Sequence, residues 1–258
     1  MAWLRLHPRR GIFPIYQKTL QQETKGIVTE FLATLAIPLS FFLAFGLGLR
    51  DYITEVDGVP YVVFMTPGLI VMTMLMEAYR TGAWGLWLDR RHQKMIDEYR
   101  IKPITTSDII IGEILGGFTI GIVKGSLVGL ILMLLAPFDL AWQNIPGFLM
   151  MVAPGCILFT CVGCMVGTTM KKPDQIAQSQ TLIITPLLYL GGLFFPINAF
   201  PPELMPLITR LPTTALFDGG RTALLEGVLM PDYLMLLVVA AVASFIAATA
   251  WFNHKMAE

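Results

Sequence analysis

The chain has 258 residues, of which 55% are hydrophobic and 14% charged, against roughly 25% charged in an ordinary soluble domain. That much apolar side chain cannot be hidden in one water-bathed core and still leave a polar surface, so lipid is the natural solvent. Eighteen Lys and Arg balance eighteen Asp and Glu, which argues against nucleic acid as a partner because phosphate binding needs a concentrated basic footprint.

In chain order, the first thirty residues lack the charged, apolar and small-residue pattern of a cleaved leader. Over residues 9–28, Phe13, Tyr16, Leu20 and Ile27 recur at helical spacing opposite Gln17, Lys18, Gln21, Gln22 and Lys25. This predicts an amphipathic helix lying in the membrane interface. Six apolar stretches then approach the roughly 20 residues a span requires: 31–49, 61–79, 109–135, 146–170, 176–195 and 233–252. The cluster Thr105, Thr106, Ser107 and Asp108 reads as the cap of the third span, and Asn144 with Pro146 as the start of the fourth.

Between the second and third spans, 86–103 is the most charged stretch and reads as a short helix stopped by Pro103. Glu98 and Lys102 form a favourable i,i+4 pair there. Residues 196–231 are broken by Pro201, Pro202, Pro206 and Pro212, with Asp218 placed to cap a short helix reaching Gly227. They are too apolar for a solvated linker, and short helices are expected that dip back into the bilayer or cover the bundle as an outer gate; Phe194, Phe195 and Phe200 are its aromatic candidates. Alternate loops carry thirteen Lys and Arg on one side and three on the other. By the positive-inside rule this puts both termini in the cytoplasm of a multi-pass protein of the cell membrane. The fold class expected is an all-α membrane protein with six transmembrane helices.

Ionisable groups inside spans are functional candidates by default, because lipid penalises them unless they pair or face water. Glu77 and Arg80 stand three residues apart, able to pair on one helix face. Glu113 and Lys124 are eleven residues apart, about 16 Å along a helix, too far to bond each other. Glu113 is near enough to its helix end to snorkel, whereas Lys124 falls near mid-span and is the leading candidate for a pathway or interhelix-pairing residue. Gly112, Gly116, Gly117, Gly121, Gly125 and Gly129 run through the same helix and suit close helix packing. Cys156, Cys161 and Cys164 read as small packing residues: a second ligand pair is lacking and the three histidines are far away in sequence, so no metal site is expected.

No GxxxxGK[ST], HExxH or GxSxG occurs, so neither nucleotide binding of the usual kind nor a catalytic constellation is expected in this chain. Uphill transport would then draw on an ion gradient or another subunit. The segments MTPGLIVMTM in the second span, Tyr99-Arg100-Ile101-Lys102-Pro103-Ile104 closing the charged loop, and TPLLYLGGLFFPINAFPP at the exit of the fifth span together resemble the ABC-2 family of ABC-transporter permeases, over nearly the whole chain.

That resemblance implies an ATP-driven exporter in which two permease chains, expected as a homodimer, meet separate ATP-binding subunits that hold ATP and Mg, with no cofactor in this chain. It also implies that 86–103 is a coupling helix whose Arg90, Arg91, Lys94, Asp97, Glu98 and Arg100 contact the ATPase. An amphipathic cargo is expected: a lipid, drug or lipid-linked glycan. The alternative is a gradient-driven carrier or channel using Glu113 and Lys124 as a relay, although the halves show no convincing inverted repeat.

Overall fold

The computed structural model describes residues 11–24, 26–49, 51–91, 104–136 and 140–257. Helix α1 spans Ile12–Thr24. Helix α2 spans Ile27–Phe41 and continues as a π-helical turn over Phe42–Leu47. A two-stranded hairpin, β1 Glu55–Val56 against β2 Val59–Pro60, leads into α3, Tyr61–Arg91. Helices α4, Thr106–Leu135, and α5, Ile145–Thr169, follow. A composite helix comes next: α6 Pro173–Ser179, a π turn over Gln180–Ile184, and α7 Thr185–Leu190. Short α8, Met205–Ile208, and α9, Pro212–Leu225, precede the last helix α10, Pro231–Ala257.

Five helices among the described residues are long and apolar enough to cross a membrane: Val28–Leu47, Tyr61–Arg90, Thr106–Leu135, Trp142–Thr169 and Pro231–Lys255. The remaining expected span, 176–195, is not among them. Helix persists there only to Leu190, interrupted by the π turn, and Gly192 takes a φ of +90° that suits glycine.

Helix α3 sits at the centre, packed chiefly against α4 and α5, with Met65, Leu69, Met72, Leu75, Ala78 and Tyr79 in the main core. It overruns the expected 61–79 because nothing between Tyr79 and Arg91 breaks a helix; Gly82 and Gly85 are instead points of close approach. A Cβ at Gly82 would strike the Thr160 carbonyl oxygen of α5, and one at Gly85 would lie 2.8 Å from the Glu113 carboxylate of α4. On the α4 side, Gly117 and Gly121 admit Thr160 and the Met74 backbone, at 2.6 and 2.8 Å from an added Cβ. At 31 residues, α3 is about 46 Å long, some 16 Å more than a hydrocarbon core of about 30 Å. One end of the bundle therefore extends well past the oil.

That end gathers Arg90, Thr105 and the C-terminal turns of α10, and is called the charged end below. The cap expected from the Thr105 to Asp108 cluster takes the form of a capping box between Thr105 and Asp108 at the start of α4. Asn144 occupies the N-cap position of α5, but its side-chain amide donates 3.0 Å to the Leu224 carbonyl and ties down the end of α9 instead. Asp218 caps nothing: α9 begins at Pro212, and Asp218 lies mid-helix. Proline in the first helical turn was the stronger start signal.

Helix α1 does not lie across the bundle. It runs alongside the first half of α4, with Gly11 against Ile104 and Asp108, Ile15 against Gly112, and Thr19 against Gly116. Its buried stripe is Ile15 and Thr19, while Phe13 is exposed. The face that packs on protein is thus different from the apolar stripe that the sequence suggests for the membrane. Gly26, with φ +80°, turns the chain from α1 into α2.

Candidate functional site

Two ionic clusters join α1 to α3 and α4. Nearer the charged end, Lys18 of α1 lies 2.6 Å from Asp89 of α3 and 3.0 Å from Glu113 of α4, both carboxylates being fully buried. Thr19 donates 3.3 Å to the other Glu113 oxygen. In the second and third turns of α4, Gly112 and Gly116 bring α1 close enough for these bonds, and Gly85 opens the space in α3 that Glu113 fills.

About three helical turns further along α4, Lys124 lies 2.8 Å from Glu77 of α3, 3.0 Å from Glu23 of α1 and 3.9 Å from Glu30 of α2. Arg80 shares the same acids: 2.8 Å to Glu77, 2.5 Å to Glu23 and 3.5 Å to Glu30. Thr34 of α2 donates 2.9 Å to the second Glu77 oxygen. Four helices are therefore tied at one level by two cations and three carboxylates. Helical side chains lean toward the N-terminus, which for α4 is the charged end. Lys124 thus reaches back from mid-helix to the Glu77 level, where its ammonium meets protein partners rather than water. Buried charges are tolerated here because each is paired.

The four ionisable residues singled out from the sequence within the spans fall in two places. Glu77, Arg80 and Lys124 meet in one cluster; Glu113 belongs to the other. Glu23, Glu30, Lys18 and Asp89 complete the clusters and were not recognised as members. The visible clue was the four-residue repeat of Gly112 and Gly116, which matches Ile15 and Thr19 and so sets Glu23 one turn later.

Three cavities border the Lys124 cluster. An apolar one of about 470 Å³ lies between the α1–α2 corner and α4, lined by Leu20, Val28, Leu32, Val123 and Leu127, with Glu23 and Lys124 at its edge. A polar groove of about 420 Å³ holds Gln22, Glu23, Glu30, Arg80 and Trp84. A smaller space of about 160 Å³, between α2, α3 and the π turn, takes in Glu30, Met76, Glu77, Arg80 and Gln180.

Of the residues expected to contact a partner at the charged end, Arg90 donates to the Thr168 carbonyl, one of the orphan acceptors in the last turn of α5. Arg91 ends α3, and its side chain, like Lys94, Asp97, Glu98 and Arg100, lies outside the described residues. At the opposite end, Phe194 stands 5.0 Å from Phe41, 5.2 Å from Phe45 and 5.6 Å from Tyr189 between ring centroids. It fastens α2 to the exit of α7. Phe195 is half-exposed and lines a separate space with Ala199 and Phe200. Arg221 of α9 was counted only as an outer-loop charge, yet it is buried: Nε donates 3.0 Å to the Phe64 carbonyl and Nη2 3.0 Å to the Gly192 carbonyl, with the guanidinium 3.6 Å over the Phe64 ring. Among the described residues there is no group of three or more His, Cys, Asp or Glu side chains placed to hold a metal ion, and the three cysteines are free and buried.

Residues 15–225 match the ABC-2 type transporter family. The chain is 31% identical over 182 residues to the inner membrane transport permease YadH of Escherichia coli strain K12, covering 70% of each chain. It is 25% identical over 234 residues to nodulation protein J of Rhizobium meliloti strain 1021, covering 90% of this chain and 88% of that one. Nodulation protein J of Neorhizobium galegae is 24% identical over 247 residues, 95% and 93% of the two chains. The match takes in both ionic clusters, from Lys18 to Lys124, and the helix α9 that carries Arg221; the protein belongs to the ABC-2 type transporter family and is a multi-pass membrane transport subunit.

Proposed function

We propose that this chain is the membrane-spanning half of an ATP-driven exporter that moves an amphipathic substrate outward with energy from a separate ATP-binding subunit, two copies of the chain forming a homodimer. ATP and Mg belong to that partner. Permeases of this family generally pair with such a subunit. On this reading the charged end is cytoplasmic, both termini lie there, and the helical run from Pro173 with its exit to residue 195 makes the fifth span, bringing the total to six.

The observation that carries the reading is the pair of ionic clusters. They lock α1, α2, α3 and α4 together at two levels, the Lys18 cluster near the end of α3 that overruns the bilayer and the Lys124 cluster about three turns deeper, so a push on the end of α3 reaches all four helices as one body. Residues 86–103, with Arg90, Arg91, Lys94, Asp97, Glu98 and Arg100, take that push from the ATPase. At the far end Phe194, Phe195 and Phe200 act as the outer gate, with Arg221 fixing α9 to α3 and to the break at Gly192. Glu113 and Lys124 serve as struts of separate clusters rather than as steps of one relay.

Purification in mild detergent tests the partner: an ATP-binding chain is expected to follow this one through successive columns. In the reconstituted complex, charge reversal at Arg91, Lys94 and Glu98 together is expected to leave ATP hydrolysis running while transport stops. Full coupling in that variant would count against the proposed contact.

A further inference from the structure

We propose that the apolar cavity at the α1–α2 corner seats the tail of a cationic amphiphile whose positively charged head rests against Glu23 and Glu30. This names a substrate class for the exporter and so rests on the function proposed above. Size, polarity and charge each point that way.

At about 470 Å³ the cavity falls in the range of small-molecule sites, roughly 300–1,000 Å³. Its walls are Leu20 from α1, Val28, Phe31 and Leu32 from α2, and Ile120, Val123 and Leu127 from α4. Val28, Leu32, Val123 and Leu127 are all exposed there, on helices otherwise suited to lipid, so an apolar chain can enter sideways from the bilayer without crossing water. One end of the cavity is not apolar: Glu23 lies on its edge and also on the polar groove, where Glu30, Gln22 and Trp84 follow. The two spaces together make a compartment with an oily half and a polar half, as an amphiphile requires.

Charge decides the head group. Among the described residues the cluster sets Lys124 and Arg80 against Glu23, Glu30 and Glu77, leaving one negative charge in excess. The excess is localised. Glu77 and Glu23 are each within 3.0 Å of both cations, whereas Glu30 stands 3.5 and 3.9 Å away and is 44% exposed in its side chain. An ammonium in the groove completes the balance at Glu30, with the Trp84 ring on the same wall as an apolar neighbour. A sulfate or phosphate head would add negative charge beside three carboxylates.

The test uses the full chain in nanodiscs, with any subunit that copurifies and without nucleotide. Two photoreactive probes share a tetradecyl tail with a diazirine near its end; one carries a trimethylammonium head, the other a sulfate. After irradiation, peptide mass spectrometry is expected to find adducts on Leu32, Val123 and Leu127, at least tenfold more abundant for the ammonium. Glu30→Gln, at an exposed position, should bring the two probes to parity, and Val123→Trp, which fills the cavity, should remove adducts of both. Equal labelling by the two probes in the unaltered protein, a preference unchanged in Glu30→Gln, or adducts confined to other surfaces would overturn the proposal. Because no ATP is used, loss of the labelling pattern leaves the exporter reading standing, and absence of ATP-driven transport leaves the binding result standing.

Discussion

Replacing Lys124 with methionine removes the ammonium and keeps most of the side chain's volume. Lys124 is 10% exposed and Glu77 8%, so the acids lose a cation in a place that water hardly reaches. Breaking a buried ion pair from one side costs about 3–5 kcal/mol. Arg80 still holds Glu77 and Glu23 through the contacts already described, which argues for the lower end, about 3 kcal/mol. For a chain of this size that corresponds to a fall of about 6–12 °C in the unfolding midpoint, to be read by helical circular dichroism in detergent.

The informative comparison is the double variant Lys124→Met with Glu23→Gln. One cation and one carboxylate are then removed together, and about 1–2 kcal/mol of the loss should return as coupling between the two sites. If Lys124→Met unfolds within 2 °C of the unaltered protein, or if the double variant loses the full sum of the single losses, the cluster does not tie the helices in the way argued here.

Gly163 of α5 faces the Tyr79 carbonyl oxygen, and an added Cβ would overlap it and lie 2.9 Å from the Ala83 nitrogen. Gly163→Ala is expected to cost about 1–3 kcal/mol by forcing α3 and α5 apart. Gly147→Ala, with nothing nearer than 3.6 Å, should be neutral or slightly stabilising in the same thermal assay. Thr105→Ala removes half of the capping box and should lower stability by about 1 kcal/mol, with faster hydrogen exchange confined to the first turn of α4. Arg221→Lys keeps the charge but cannot bond the Phe64 and Gly192 carbonyls with one planar fork. It should speed maleimide labelling of a Phe195→Cys reporter several-fold while leaving a reporter at Val28→Cys unchanged; equal rates at Phe195 with and without the Arg221 change would remove the outer clamp from the account.

The helices were legible where one local signal sufficed. The apolar runs marked the five long helices, and the cluster Thr105, Thr106, Ser107 and Asp108 marked the start of α4. The length of α3 was hidden because Asp89, Arg90 and Arg91 read as part of a separate short helix over 86–103; whether they continue α3 depends on Gly82 and Gly85 meeting α5 and α4, which local composition does not record. Lys124 stood out as an ionisable group in an apolar run. Its partner Glu23 lies 101 residues away in sequence, so the pairing exists only once α1 has folded beside α4. For α1 the periodicity suggests a helix with Phe13, Tyr16 and Leu20 as its more apolar stripe, yet Ile15, Lys18 and Thr19 face the protein because Gly112 and Gly116 leave room for Ile15 and Thr19 and buried acids accept Lys18. Arg221 counts in sequence only as one of the three loop charges on the sparsely charged side, since nothing near it in sequence reveals that the Phe64 and Gly192 carbonyls wait for a donor.

Inside-out vesicles carrying this chain and its ATP-binding subunit provide the most direct test of the transport reading. Accumulation of an amphiphile in the lumen should require hydrolysable ATP, persist when ionophores collapse the ion gradients, and fall away when the ATP-binding subunit is omitted. Uptake that follows an imposed ion gradient through the isolated chain, indifferent to nucleotide, would contradict the account.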